Sequence, residues 1–283
     1  MAPKLIERRQ KQEVLLQLGD NPAVALLGPR QAGKTTLARV IARERNGVYI
    51  DCNNRRTRAI LQEQGVASYA DRHAGRLIVI DEIQRREDLF TDLRVIIDER
   101  RLQGIETGCF LLLGSAAMKL VNKSTETLYG RLAKVSLGPL DVLEVASDDQ
   151  KEIEKLWLRG GLPASFVADS DAQSFKVREQ IVDILIGGKV TREGLRISAA
   201  KIQRLCVFLA RSQGRAINSS SAAMQLDMDR RSVRSFIDLL SGHLMARALP
   251  PFSQNFKKKL VKTPKFYYRD SGLLHQLLEI ENA

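Results

Sequence analysis

Short apolar runs alternate with amphipathic stretches through the first half of the chain, and that alternation predicts its layout. Ala23-Val24-Ala25-Leu26-Leu27, Leu77-Ile78-Val79-Ile80 and Cys109-Phe110-Leu111-Leu112-Leu113 are apolar at every position. Runs of this kind fit strands buried on both faces, because a half-exposed strand would alternate apolar with polar. Gly47 to Asp51 and Ala133 to Leu137 read as two more strands. Helical periodicity marks Leu5 to Leu18, Thr36 to Arg43, Thr57 to Gln64 and Asp88 to Arg101, the last with Leu89, Leu93, Ile96 and Ile97 on one face. Strand and helix alternate to about Leu140, so the pattern predicts an α/β domain with a mainly parallel sheet. A ligand of such a domain lies outside the carboxyl ends of its strands.

Past Leu140 the strand signal fades. Glu144 to Leu158 and Asp171 to Ile186 read as helices, separated by the turn cluster Arg159-Gly160-Gly161-Leu162-Pro163. Ala199 to Ser212 is a third, with Ile202, Leu205, Cys206 and Leu209 on its apolar stripe. Ser219 to Gln225 then reads as a short helix, Leu226 to Asp229 as a turn, and Arg230 to Leu240 as a helix with Val233, Ile237 and Leu240 inward. Leu244 to Leu249 and Lys265 to Tyr268 read as a hairpin whose loop carries Lys257, Lys258, Lys259 and Lys262. Helix, turn, helix and basic hairpin describe a winged helix-turn-helix. The expected division is an α/β domain over 1–143, a helical linker or lid over 144–212 and a basic winged-helix domain over 213–283.

The loop after the first strand carries the chemistry. Gly28-Pro29-Arg30-Gln31-Ala32-Gly33-Lys34-Thr35, followed by Thr36, fits the phosphate-binding pattern G-x-x-x-x-G-K-[ST] at every fixed position. A strand, a glycine loop and a helix in that order aim backbone N–H groups and a helix N-terminus at one anion. Lys34 would reach the β- and γ-phosphates of ATP, and the Thr35 hydroxyl would hold Mg²⁺.

About 45 residues downstream, Leu77-Ile78-Val79-Ile80 ends in Asp81-Glu82. Asp81 is placed to hold the magnesium through water, and Glu82 to orient and deprotonate the attacking water. In ATPases of this kind a further strand lies between the phosphate-loop strand and the Asp-Glu strand, and the run from Cys109 fits it. Ser115 at its end is the candidate sensor of the γ-phosphate or the water, with a strand-capping serine as the alternative. Arg131, after Gly130, is either a transition-state arginine, in its own site or a neighbour's, or a surface arginine. A kinase or transferase is the weaker reading, because no acceptor pocket is evident and an Asp-Glu strand end suits water activation.

Composition narrows the setting. In the 283 residues no apolar run approaches the roughly 20 needed to span a bilayer, and the N-terminus turns charged at once, so a cytoplasmic protein without a membrane partner is expected. Cys52, Cys109 and Cys206 are far apart, as are His73, His243 and His275, which implies neither a disulfide framework nor a metal site beyond the nucleotide's magnesium. The net charge of +12 is concentrated: Lys201 to His275 holds 14 Lys and Arg against 4 Asp and Glu. That excess points to a polyanion, with Arg230, Arg231 and Arg234 offered to a major groove of double-stranded DNA and Lys257, Lys258, Lys259 and Lys262 to phosphates. A protein-contact or lid role, or self-association, is the alternative use of the same module.

The chain resembles the AAA-type ATPases of bacteria and archaea that carry an uncharacterised C-terminal region. The resemblance rests on Leu27 to Thr36, Ile80-Asp81-Glu82-Ile83-Gln84, Gly114-Ser115-Ala116 and Leu128-Tyr129-Gly130-Arg131. It continues in Trp157 to Pro163, Ser212-Gln213-Gly214 and Pro264 to His275, and so covers essentially the whole chain. It implies an AAA-like sheet, Mg·ATP binding with hydrolysis and a winged-helix module. Members often carry an acidic-arginine element where this chain reads Ile184-Leu185-Ile186-Gly187-Gly188-Lys189, and many continue into a nuclease-like domain, whereas this sequence ends at Ala283. No nuclease activity is expected of it. Two functions follow: an ATP-driven switch that controls DNA or partner binding, or a scaffold that binds ATP and hydrolyses it negligibly.

Overall fold

The computed structural model describes residues 5–86, 88–115, 127–145, 149–187, 197–252 and 263–282. The chain forms two compact units, Leu5–Gly138 and Pro139–Ala283.

In the first unit, helix α1 (Gln10–Asp20) precedes β1 (Ala23–Gly28), α2 (Lys34–Glu44) and β2 (Val48–Asp51). Then come α3 (Arg55–Gln64), α4 (Val66–Arg72), β3 (Ile78–Asp81), a 3-10 turn at Ile83–Arg85, α5 (Leu89–Leu102), β4 (Phe110–Ser115) and β5 (Leu132–Ser136). The five strands form one sheet in the order β2-β3-β4-β1-β5, with every neighbour parallel. β4 lies between the phosphate-loop strand and the Asp-Glu strand, as its sequence predicts.

The uniformly apolar strands follow from cover on both faces. On one face Val24, Leu26, Val79, Leu111, Leu113 and Val135 pack with Val14 and Leu18 of α1 and Leu37, Ala38 and Ile41 of α2. On the other, Arg100 of α5 stacks 5.3 Å from the Phe110 ring centroid and donates to the Ala70 carbonyl at 2.7 Å, tying α4 to α5. Arg100 is buried, and the carbonyl and the ring answer its charge.

The second unit contains α6 (Val142–Val145), α7 (Gln150–Arg159), α8 (Pro163–Phe166), α9 (Asp171–Gly187) and α10 (Ala199–Arg211). They are followed by α11 (Ser219–Leu226), α12 (Arg230–Gly242), β6 (Ala246–Leu249), β7 (Lys265–Tyr268) and α13 (Ser271–Leu277). A single core joins Leu162, Ile181 and Leu185 to Ile202, Leu205, Leu209, Phe236, Phe266 and Leu273. The stretch expected as a linker or lid therefore shares its core with the segment after it. Asn218 and Asp229 cap α11 and α12, and Asp227 turns the chain between them at φ 50°. On α12 the inward residues are Val233, Phe236 and Leu240. Ile237, expected inward, is only partly buried, and Phe236 takes the central place. β6 and β7 pair antiparallel, and Ala216 adds a bridge to Lys265.

The Gly-Gly turn after α7 docks on the start of α13. The Gly161 N–H donates to Asp270 Oδ2 at 2.8 Å, and its carbonyl accepts from Leu140 N–H at 2.6 Å. Asp270 also accepts from the Leu273 N–H at 2.8 Å, capping α13. A Cβ on Gly161 would stand 2.1 Å from the Leu140 carbonyl oxygen, a backbone atom that cannot swing away. Gly161→Ala is therefore expected to destabilise the protein by about 3 kcal/mol in chemical denaturation. Gly187→Ala, where nothing among the described residues lies within 4 Å, should leave the midpoint in place.

Candidate functional site

The phosphate loop leaves β1 at the carboxyl edge of the sheet. At Gly28 a Cβ would meet the Leu137 carbonyl oxygen at 2.3 Å, so only glycine lets the exit of β5 pass this close. Gly33 occupies the N-cap position of α2 at φ 91°, a left-handed conformation that glycine adopts without steric cost. No side chain caps α2, so its first N–H groups are open to an anion. Ala32 is buried, while Arg30, Gln31, Thr35 and Thr36 are exposed.

Lys34 folds back over the loop. Its Nζ donates to the Gly28 carbonyl at 2.9 Å and to the Pro29 carbonyl at 2.8 Å. Burial pulls its ammonium down to about 8, with Arg30 adding to the fall and Glu82 and Asp81 opposing it. A bound triphosphate would reverse that balance by restoring a stable cation. At about pH 9, ATP binding should therefore take up a proton, and affinity should decline as pH rises past the lysine's titration. Calorimetry in buffers of different ionisation enthalpy reads this directly; heats independent of the buffer would contradict it.

Thr35 Oγ1 donates to Asp81 Oδ2 at 2.7 Å, leaving its oxygen lone pairs for a cation. Asp81 is 5% exposed, and its Oδ1 accepts from the Glu82 N–H at 2.8 Å. A hydroxyl with free lone pairs beside a fixed carboxylate is the hard-oxygen donor set that Mg²⁺ takes, so Thr35 and Asp81 fit it. Glu82 sits at φ 55°, an unusual conformation for a non-glycine residue. Its Oε2 accepts from Gln84 Nε2 across the 3-10 turn.

The structure thus brings Gly28 to Thr36, Asp81 and Glu82 to one edge of the sheet. Ser115 ends β4 in register with Gly28, at the same edge; its side chain lies outside what the structure describes. Arg131 is not brought there. It immediately precedes β5, and its carbonyl accepts from the Ala23 N–H, at the amino end of β1 and thus the opposite edge. Its guanidinium is held by Asp98, Nε to Oδ1 at 2.7 Å and Nη2 to Oδ2 at 2.9 Å, and by the Tyr129 carbonyl. A bidentate pair within its own chain, a full strand length from the loop, rules it out as a transition-state arginine in its own site.

The contacts of two residues escaped the sequence reading. Arg8, buried, donates to the Ala32 carbonyl at 2.6 Å and to the Gly138 carbonyl at 2.8 Å, bracing the phosphate loop from outside the motif. Tyr49 on β2 donates to Asp81 Oδ2. Neither lies within the local motifs; the strand register sets Tyr49 opposite Val79, two residues before Asp81 and on its face.

In the second unit Arg230, Arg231 and Arg234 are exposed on the first turns of α12. Lys257, Lys258, Lys259 and Lys262 lie outside the described residues, as do Gly188 and Lys189. No helix among the described residues is long and apolar enough to cross a membrane.

Comparison with known proteins agrees with this geometry. Residues 20–146 match the family model described as an AAA domain, and residues 150–283 match one described as a domain of unknown function (DUF8612). Uncharacterized proteins of Mycobacterium tuberculosis and Mycobacterium bovis are each 37% identical over 279 residues, 98% of this chain. The chain spans 61% of the length of those relatives. Among solved structures, a Walker-type ATPase of Pyrococcus abyssi superposes with a TM-score of 0.66 at 15% identity, covering 98% of this chain and 97% of that one. The matched domain, the strand order and the loop geometry agree in giving the first unit a P-loop α/β fold similar to that of AAA domains.

Proposed function

We propose that the protein is a Mg²⁺-dependent ATPase acting as a nucleotide-controlled switch, with a basic winged-helix module that binds duplex DNA. The observation that carries the ATPase reading is the convergence of Lys34, Thr35, Asp81 and Glu82 at the mouth of one loop. Hydrolysis is an in-line attack of water oxygen on the γ-phosphorus of ATP, breaking its bond to the β–γ bridging oxygen and giving ADP and inorganic phosphate. Glu82 takes the proton of the attacking water. Lys34 exchanges the carbonyls of Gly28 and Pro29 for phosphate oxygens and neutralises charge gathering on them. Thr35, and Asp81 through water, would hold Mg²⁺, which when bound would supply further neutralisation of phosphate charge. Ser115, at the neighbouring strand end, positions the water.

The winged-helix reading rests on the order α10, Ala216, α11, α12, β6, β7, with Ala216 bridging to the ribbon. α12 is the recognition helix, and among the described residues no hydrogen bond, ion pair or ring contact occupies the exposed side chains of Arg230, Arg231 or Arg234. Duplex DNA affinity should fall steeply with salt, and Arg230→Ala/Arg231→Ala/Arg234→Ala should weaken it at least about tenfold and flatten the salt slope. Absence of salt-dependent DNA binding would assign the module to a protein partner or to self-association. The Gln84 contact favours a second reading of the first unit: an amide engaging the base suits a scaffold that holds ATP and turns it over negligibly.

A further inference from the structure

Asp81 is gripped from two sides. Its Oδ2 accepts from Thr35 of α2 and also from the Tyr49 hydroxyl of β2. Strand periodicity explains the second contact. Tyr49 is in register with Val79, and residues two apart share a face, so Val79, Asp81 and Tyr49 all face the helix that follows the phosphate loop. Helix periodicity supplies the rest: Arg39 lies one turn beyond Thr35 on α2 and stacks its guanidinium 4.8 Å from the Tyr49 ring centroid. Thr35 and Arg39 on the helix thus face Asp81 and Tyr49 on the strands, in a ladder of two rungs. Burial, with the bond to Asp81 adding to it, pushes the Tyr49 phenol well above its ordinary value, so it remains a donor at neutral pH.

We propose that Tyr49 is a positioning residue for the metal carboxylate: its hydroxyl, steadied by Arg39, fixes Asp81 in the orientation that receives nucleotide-bound Mg²⁺. This rests on the Mg·ATP reading of the same loop and adds a residue that the phosphate-loop and Asp-Glu motifs do not contain. Without the phenolic donor, Asp81 keeps Thr35 and the Glu82 N–H but gains freedom to rotate out of line, and metal capture weakens.

The test is Tyr49→Phe, which keeps the ring under Arg39 and removes only the hydroxyl. ATP binding is measured by calorimetry over a series of free Mg²⁺ concentrations, alongside ATP affinity in EDTA and the thermal midpoint. The expected result is a free-Mg²⁺ midpoint raised about three- to tenfold, the scale of the net contribution of one ordinary hydrogen bond. Affinity in EDTA and the thermal midpoint stay at wild-type values. An unchanged Mg²⁺ midpoint overturns the role of Tyr49, and so does an equal loss in EDTA, which marks a merely structural contact. Wild-type protein that binds ATP equally with and without Mg²⁺, or not at all, overturns the Mg·ATP reading itself and the proposal with it.

Discussion

Lys34→Ala is expected to lower ATP affinity by about 100-fold or more while leaving the fold in place. The lysine is the cation that the structure positions over the loop, poised on two carbonyls that a triphosphate would replace. Losing one buried partner of a charge pair costs a few kcal/mol, hence the size of the effect. Stability should not follow affinity down. A lysine whose ammonium falls from 10.5 to about 8 on folding is destabilised in its charged form. That cost is fully present below about pH 8 and is relieved as pH rises toward the unfolded value. Alanine removes the cost at neutral pH. Lost binding with an unchanged or raised melting temperature is therefore the expected pair of results. Retained micromolar binding would contradict the assignment of the loop.

Glu82→Gln is expected to keep ATP binding and slow turnover by about 10²- to 10⁴-fold, the range of a general base. The amide is isosteric with the carboxylate and retains an oxygen for the Gln84 side chain, while the bond from its N–H to Asp81 is a backbone contact that the exchange does not touch. What disappears is the proposed acceptor of the water's proton. A single-turnover experiment should show bound ATP persisting on the variant. Hydrolysis at the wild-type rate would remove Glu82 from the mechanism.

The five strands and the phosphate loop were legible because both are local signals. Full burial makes each central strand apolar throughout, and a loop whose backbone binds phosphate needs its glycines, lysine and threonine at fixed spacing. Even the insertion of β4 between β1 and β3 followed from the Glu beside the Asp. Short helices were harder. Val66–Arg72, Pro163–Phe166 and Ser271–Leu277 span at most 7 residues each, too few turns for periodicity to emerge. The place of Arg131 stayed open for another reason. A Gly-Arg pair does not reveal which edge of the sheet it occupies, and only the parallel register with β1 decides that. Arg8 meets its partners 24 and 130 residues away and Tyr49 meets Asp81 at 32, through packing that no local pattern encodes.

The later blocks of the family resemblance acquire a physical meaning. Arg159-Gly160-Gly161 and Asp270-Ser271-Gly272 pack backbone to backbone, where a Cβ on Gly272 would come within 2.2 Å of the Arg159 carbonyl oxygen. Arg178 is wholly buried beside this junction and donates to the Leu158 carbonyl at 3.1 Å, while His275 Nδ1 lies 3.2 Å from the same oxygen. These residues hold the second unit together across more than 100 residues of sequence. Their part is architectural, which separates them from the residues of the first unit proposed to bind phosphate.

Steady-state ATP hydrolysis with Mg²⁺, run with and without double-stranded DNA and with Glu82→Gln as the blank, tests the central claim most directly. The account predicts Mg²⁺-dependent turnover above the blank, raised by DNA. Turnover no greater than that of Glu82→Gln, with ATP still bound, would contradict it and leave a nucleotide-holding scaffold in its place.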